Sequence, residues 1–264
     1  VMILVKLAAL ITFTVLIFLI VYILVHGVPY LKPSLFSLHY NSENASLMPA
    51  LINTVIMTLL SLLLAVPIGI FSAIFLAEYA GKGNKFVDII RLTTETLSGI
   101  PSIVYGLFGM LFFVSTCHWG FSLLAGAFTL AIMILPLIMR TTEEALLSVP
   151  DSYREGSFGL GAGKLRTVFY IVLPSAVPGI LAGVILAIGR IVGETAALIY
   201  TAGSVAQVPS SVLGSGRTLA VHMYLLASEG LYMDQAYATA VILLVLVVVI
   251  NTLSGMVAKK LTKA

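Results

Sequence analysis

Six stretches of this chain are apolar over lengths that match a lipid bilayer: residues 3–25, 50–77, 98–116, 121–139, 176–201 and 236–257. A helix needs about 20 such residues to cross the hydrocarbon core. The pattern predicts an all-α, polytopic membrane protein with six transmembrane helices, read as a single transmembrane domain over 1–264. Composition agrees, because only 9% of residues are charged, against about 25% in a soluble domain. The first run is too long for a signal-peptide core, and with Lys6 before most of it, it reads as a span that stays in place. The third and fourth runs are separated by little more than "CHWG" and predict a tight helical hairpin.

The polar segments sort by charge. With the N-terminus inside, the inner segments hold Lys6, then Lys82, Lys85 and Arg91, then Arg140, Arg154, Lys164 and Arg166, then Lys259, Lys260 and Lys263. The outer segments hold only Lys32 and Arg217. Eleven against two is a strong positive-inside bias and predicts that both termini are cytoplasmic. His26, His39, His118 and His222 all fall outside under this topology and read as surface residues without metal-ligand spacing. Cys117 is the single cysteine and cannot form an internal disulfide. No basic run with interleaved aromatics suggests nucleic acid. In the second outer loop, "TLAVHMYLLAS" (218–228) puts Leu219, His222, Met223 and Leu226 on one face. It predicts a short interfacial helix, with docking of a soluble partner as the sharper alternative.

One inner segment is longer than a connection requires. Residues 141–174 include "PDSYREGSFGLGAGKLRTVFYIVLP". Pro150 and Asp151 signal a helix start, and Gly159, Gly161 and Gly163 stop the helix. Glu155-Gly156-Ser157, three residues, Gly161, nine residues and Ile171-x-Leu173-Pro174 resembles the EAA loop of bacterial ABC-importer permeases. That pattern is E-A-A, three residues, G, nine residues, I-x-L-P. Gly156 and Ser157 stand where the pattern has alanines, and both are small. The resemblance implies that Tyr153, Arg154, Glu155, Gly156, Ser157, Phe158 and Gly161 form a coupling helix that docks on a cytoplasmic ATPase. Independently, no G-x-x-x-x-G-K-[ST] sequence occurs, so this chain has no P-loop to cradle ATP.

Arg190 and Glu194 lie in the fifth apolar run. If that helix enters the membrane near Pro178, Arg190 lies about 18 Å along it, near the middle of a core about 30 Å thick. An arginine there costs about 2.5–3.5 kcal/mol. Spacing of i, i+4 would let the two charges pair, but buried pairs are poor stabilisers, which favours a functional role. At about 100° per residue, Gly179, Gly183, Arg190, Glu194, Ala197 and Thr201 fall within about 60° of one another. Such a small, polar stripe should face a pathway or a partner helix, and an arginine fork suits a tetrahedral oxyanion.

"GRIVGETAALIYTAG" (189–203), "LSGIPSIVYGLFG" (97–109) and "LPLIMRTTEEAL" (135–146) together resemble the phosphate ABC-importer permeases. "AVHMYLLASEGLYMDQAYATAVILL" is more like their PstA subunit than PstC. The resemblance runs from about 50 to 257. It implies the type I importer-permease fold in a bacterial inner membrane, with Arg190, Glu194, Thr201, Ser98 and Ser102 on the phosphate path. It also implies a PstC-like permease partner, two PstB-like ATPases carrying the ATP and Mg that this chain does not bind, and a PstS-like binding protein. Another oxyanion such as sulfate or molybdate, and an ion-coupled secondary transporter using Glu194, are the alternative readings. A fixed Glu194 carboxylate would discriminate against fully ionised sulfate.

Overall fold

The structure is a computed structural model and describes residues 2–80 and 85–262. Lys82 and Lys263, counted among the inner charges above, lie outside the described residues, as do the side chains of Lys259 and Lys260. The chain runs α1 (Met2–Gly27), α2 (Met48–Ile74), α3 (Lys85–Ser98), α4 (Ser102–Gly109), α5 (Leu123–Leu147), α6 (Asp151–Gly159), α7 (Lys164–Thr167), α8 (Leu173–Val192), α9 (Ala196–Ile199), α10 (Leu219–Glu229) and α11 (Met233–Thr262). Wider π-helical turns extend α2 through Phe75–Tyr79 and α4 through Met110–Thr116, and join α7 to α8 through Val168–Val172. Among the described residues, five continuous helical stretches are long and apolar enough to cross a membrane. A sixth is the pair α3 and α4, bent by 101°.

Helix α5 is the centre. Leu130, Met133, Ile134 and Ile138 on it are fully buried against Met57 of α2 and Ala187 and Ile191 of α8. This helix has an apolar character on most faces, as expected of a helix surrounded by protein. Its first turn is closed by Ser122, whose hydroxyl accepts from the Ala125 N–H at 3.2 Å. The loop between α9 and α10 supplies carbonyls of Val212 and Gly214 to the N–H groups of Leu124 and Leu123. By contrast, α1 is exposed along almost its whole length and touches the body chiefly through α11. Its Ile, Leu and Phe side chains face outward, where lipid or another subunit replaces a core.

The small residues of α8 meet α5. A Cβ on Gly183 would lie 2.0 Å from Thr141 Oγ1, and one on Gly179 would lie 2.6 Å from the Ala145 Cβ. Two of the six positions of the expected stripe therefore form a helix-packing seam within this chain. Close approach of this kind is what small residues permit where burying apolar surface from water cannot drive association.

The second outer loop departs from expectation. Helix α10 turns its apolar face to protein rather than outward: Leu219, Ala220, Val221, His222 and Leu226 are buried against α2 and α11. His222 is fully buried rather than at the surface, with Tyr40 edge-on to its ring at 6.1 Å. Arg217, only 6% exposed, stacks on the other partner of that cluster, its guanidinium 4.6 Å from the Tyr40 ring centre. Burial, and secondarily the Arg217 charge, push His222 down to about 3, against a smaller opposing effect from the Ala45 backbone. Between that value and the unfolded value of about 6.5, the unfolded chain binds the extra proton. Stability should therefore fall as pH drops below about 6.5, by about 2 kcal/mol on reaching pH 5. Thermal unfolding of the detergent-solubilised complex at pH 7 and pH 5 checks this: His222→Gln should lose less stability on acidification than the wild type.

Candidate functional site

Two breaks in regular helix lie side by side. The first separates α3 from α4 at Gly99, Ile100 and Pro101. Proline at that point removes a backbone donor and disfavours helical geometry in the preceding residue. The Tyr105 hydroxyl crosses the bend and donates to the Leu97 carbonyl at 2.7 Å, satisfying a carbonyl near the C-terminal end of α3.

The second break corrects the reading of residues 176–201 as one helix. Helix α8 ends at Val192; Gly193 and Glu194 are the turn, and α9 restarts at Ala196. Arg190 and Glu194 are therefore not on one helical face, and no ion pair joins them among the described residues. The Glu194 carboxylate instead turns forward and accepts from the Ala197 N–H at 3.0 Å. It is 8% exposed and closes the start of α9, where free N–H groups favour a negative charge. Helices α4 and α9 touch closely: a Cβ on Gly106 would lie 2.8 Å from the Ala197 Cα. Irregular backbone within an apolar bundle is tolerated where protein buries it or where it borders a cavity.

A cavity of about 460 Å³ lies next to the two breaks, lined by Ser98 just before the first and Arg190 just before the second. Its walls are α3, α5, the end of α2 and the last turn of α8, which brings in Arg190. Arg91 binds Glu143 through Nη2 at 2.6 Å and Nε at 2.9 Å. Arg140 pairs with Glu144 at 2.9 Å across one helical turn, both largely exposed. Arg190 has no carboxylate or hydrogen-bond partner among the described residues. It sits at the carbonyl end of α8, where the helix dipole favours a cation.

Of the residues expected on a path, the structure brings Arg190 and Ser98 to this cavity. Thr201 is fully buried and its hydroxyl donates to Ala197 O at 2.8 Å. Glu194 caps α9, and Ser102 opens α4; neither lines the cavity. Arg91, Thr94 and Glu95 of α3, and Arg140, Thr141, Glu143 and Glu144 of α5, were not singled out. Their signal is helical spacing: Arg91, Glu95 and Ser98 repeat at i, i+4 and i+7, and Arg140 and Glu144 at i, i+4.

The loop between α5 and α8 forms a second site. Helix α6 has two faces. Tyr153, Glu155, Gly156 and Phe158 are exposed, and Leu160 beyond them is 91% exposed. Ser157 and Arg154 turn inward. Ser157 meets the Thr167 hydroxyl at 2.8 Å, and Arg154 binds Glu78 at 2.6 Å. Two of the seven expected coupling residues thus face the body of the protein rather than a partner. Gly161 has φ +83°, a left-handed conformation that ends α6.

An all-helical bundle with long apolar helices, broken helices beside a charged cavity and an exposed amphipathic helix at one end defines an integral membrane transport component. Residues 65–263 match the family described as binding-protein-dependent transport system inner membrane component, and the chain belongs to that family. It is 35% identical to a probable ABC transporter permease, YqgI, of Bacillus subtilis (strain 168), over 91% of this chain and 89% of that one. It is 39% identical over 178 residues to the phosphate transport system permease PstA of Haemophilus influenzae, covering 67% of this chain and 62% of that one. Among solved structures, a bacterial alginate ABC transporter aligns with a TM-score of 0.71 at 16% identity, over 98% of this chain and 95% of that one. The MetNI methionine ABC transporter aligns at 0.67 and 22% identity, over 82% and 96%. The fold is therefore that of ABC-importer permeases, and the chain is a translocation subunit rather than an enzyme. In such importers ATP hydrolysis resides on a separate subunit, and a binding protein delivers the solute.

Proposed function

We propose that this chain is the permease subunit through which an ATP-driven importer passes inorganic phosphate into the cell. The observation that carries the reading is Arg190, a cavity-lining guanidinium with no acidic partner among the described residues, while Arg91 and Arg140 are each held by a glutamate. A guanidinium presents a planar fork of donors that matches phosphate oxygens. The relatives named as phosphate permeases support the choice of anion.

The cavity cannot neutralise phosphate alone. Its three arginines and three glutamates cancel, whereas phosphate near neutral pH carries about one to two negative charges. A PstC-like second permease subunit supplies the missing cation in this proposal. Of two PstB-like ATPases, holding ATP and Mg, one docks on the exposed surface of α6 formed by Tyr153, Glu155 and Phe158, with Leu160 just beyond it. A PstS-like protein delivers phosphate from outside, and both termini lie in the cytoplasm of an inner-membrane assembly, as the eleven inner basic residues favour. Glu194, engaged with α9, has no role in rejecting sulfate here.

The test is uptake by proteoliposomes containing the chain with its co-encoded permease, ATPase and binding-protein partners. Labelled phosphate should enter only with ATP inside and loaded binding protein outside, and excess sulfate or molybdate should not compete. Preferential uptake of sulfate or molybdate would overturn the substrate, and ATP-independent uptake by the chain alone would overturn the importer reading.

A further inference from the structure

Arg154 is bonded through every donor it has. Nε and Nη2 donate to Glu78 Oε1 at 3.2 and 2.6 Å, Nη2 also to the Leu146 carbonyl at 2.9 Å, and Nη1 to the Val149 carbonyl at 2.8 Å and to Asp151 Oδ1 at 3.3 Å. Five N–H groups are the whole inventory of a guanidinium. The side chains of Arg154 and Glu78 are 15% and 7% exposed, so this pair is sequestered from water, unlike the pair of Arg140 and Glu144.

The bond to Asp151 stays within α6; the other four reach two other parts of the fold. Glu78 lies in the π-helical end of α2, two residues beyond Leu76, which lines the cavity. Leu146 lies in the last turn of α5, whose Arg140, Thr141 and Glu143 form one cavity wall, and Val149 follows two residues after its end. Carbonyls there have no partner within the helix, and the Arg154 fork closes two of them. The contact next to it repeats the theme: Lys164 Nζ lies 5.0 Å from the centre of the Tyr79 ring, again tying the loop to the end of α2.

We propose that Arg154 and Glu78 form the joint through which movement of α6 reaches the cavity. Arg154 is a positioning residue that faces inward, not a residue that grips the ATPase. Displacing α6 must either carry the ends of α2 and α5 with it or break four hydrogen bonds to a buried charge. The second course is costly because it leaves Glu78 buried without a partner. The fork is also specific: lysine offers three donors from one point and cannot span a carboxylate and two carbonyls at once. This inference rests on the docking of an ATPase at the exposed face of α6.

The experiment uses the complete reconstituted transporter and two readouts, ATPase retained on purification and phosphate taken up per ATP hydrolysed. Glu78→Gln keeps the shape and one acceptor oxygen but removes the charge; Arg154→Lys keeps the charge but loses the fork. Both should retain the ATPase at wild-type stoichiometry while uptake per ATP falls about ten-fold, the scale of an ordinary coupling free energy between sites. Should Glu78→Gln fail to assemble, Glu78→Asp, which retracts the carboxylate by one methylene, is read in the same way. Unchanged uptake per ATP in Arg154→Lys and in the assembled Glu78 variant would overturn the joint. Loss of the ATPase from Arg154→Lys would also overturn it, by making Arg154 a docking residue. The underlying docking reading fails separately, if Tyr153→Ala with Phe158→Ala retains the ATPase and full uptake.

Discussion

Replacing Arg190 by glutamine should cut phosphate uptake by the assembled transporter severely while leaving the chain inserted and bound to its partners. The prediction follows from what Arg190 does not do. It bonds no described side chain, so its removal orphans no carboxylate, and the apolar helix around it is relieved of a charge that costs about 2.5–3.5 kcal/mol to insert. The loss to stability is limited to the favourable placement of a cation at the end of α8, about 0.3–1 kcal/mol. The loss to transport is larger, because a charge-assisted hydrogen bond contributes about 1.5–3 kcal/mol. Converted at 1.4 kcal/mol per decade, that weakens anion binding by about 10- to 150-fold. Glu194→Gln is the contrast. Glutamine keeps an acceptor oxygen for the Ala197 N–H, so α9 remains capped and uptake should stay near wild type. The measurement is initial uptake rate in proteoliposomes at matched subunit content. Wild-type rates from Arg190→Gln would remove the arginine from the path. A dead Glu194→Gln beside an active Arg190→Gln would exchange the two roles.

The contrast marks where the sequence was readable. Long apolar runs are read directly because hydrocarbon thickness imposes their length. The loop from Glu155 to Pro174 is read because its anchors are spaced within one short segment. The break at Gly193 is not, because one glycine in an apolar run is compatible with continuous helix at a cost of about 1 kcal/mol. Neighbours decide it: α4 packs against α9 beyond the break, and the Glu194 carboxylate takes up one freed N–H, that of Ala197. The bend at Pro101 carried a local signal, Gly99 followed by proline two residues on, yet the apolar window bridged it. Helix α3 escaped a search for long apolar runs because Asp88, Arg91 and Glu95 interrupt its apolar residues, although the charge spacing needed for the cavity was there. The pairing of Glu78 with Arg154 spans 76 residues and has no periodicity behind it. His222 reads as a surface residue from its place in an outer loop of the predicted topology, whereas its burial is set by the packing of α10 against α2 and α11.

Substitutions at Gly161 should separate backbone strain from crowding, and their order is the prediction. Helix α6 ends in a Schellman motif: the Ala162 N–H donates to Ser157 O at 3.1 Å, and the Gly161 N–H to Phe158 O at 2.9 Å. The motif requires a left-handed residue at Gly161, which has φ +83°. A Cβ built there meets no atom within 4 Å, so any penalty is conformational. Asparagine visits the left-handed region readily, alanine is penalised by about 1–2 kcal/mol, and branched valine is a genuine outlier. A penalty of about 1–2 kcal/mol shifts the loop between conformations by about five- to thirty-fold. Valine should therefore release the end of α6 and swing Leu160 and the glycines beyond it away from the face that meets the ATPase. Phosphate uptake should fall in the order Gly161→Asn, Gly161→Ala, Gly161→Val, with valine losing nearly all transport and most of the copurified ATPase. Gly156→Ala is the internal control. Its position is helical and equally uncrowded, so alanine should favour α6 by about 1 kcal/mol and leave transport intact. Equal uptake by Gly161→Val and wild type would show that the turn does not set the docking face. An asparagine variant as impaired as valine would show that space, not backbone conformation, limits the site once the ATPase is bound.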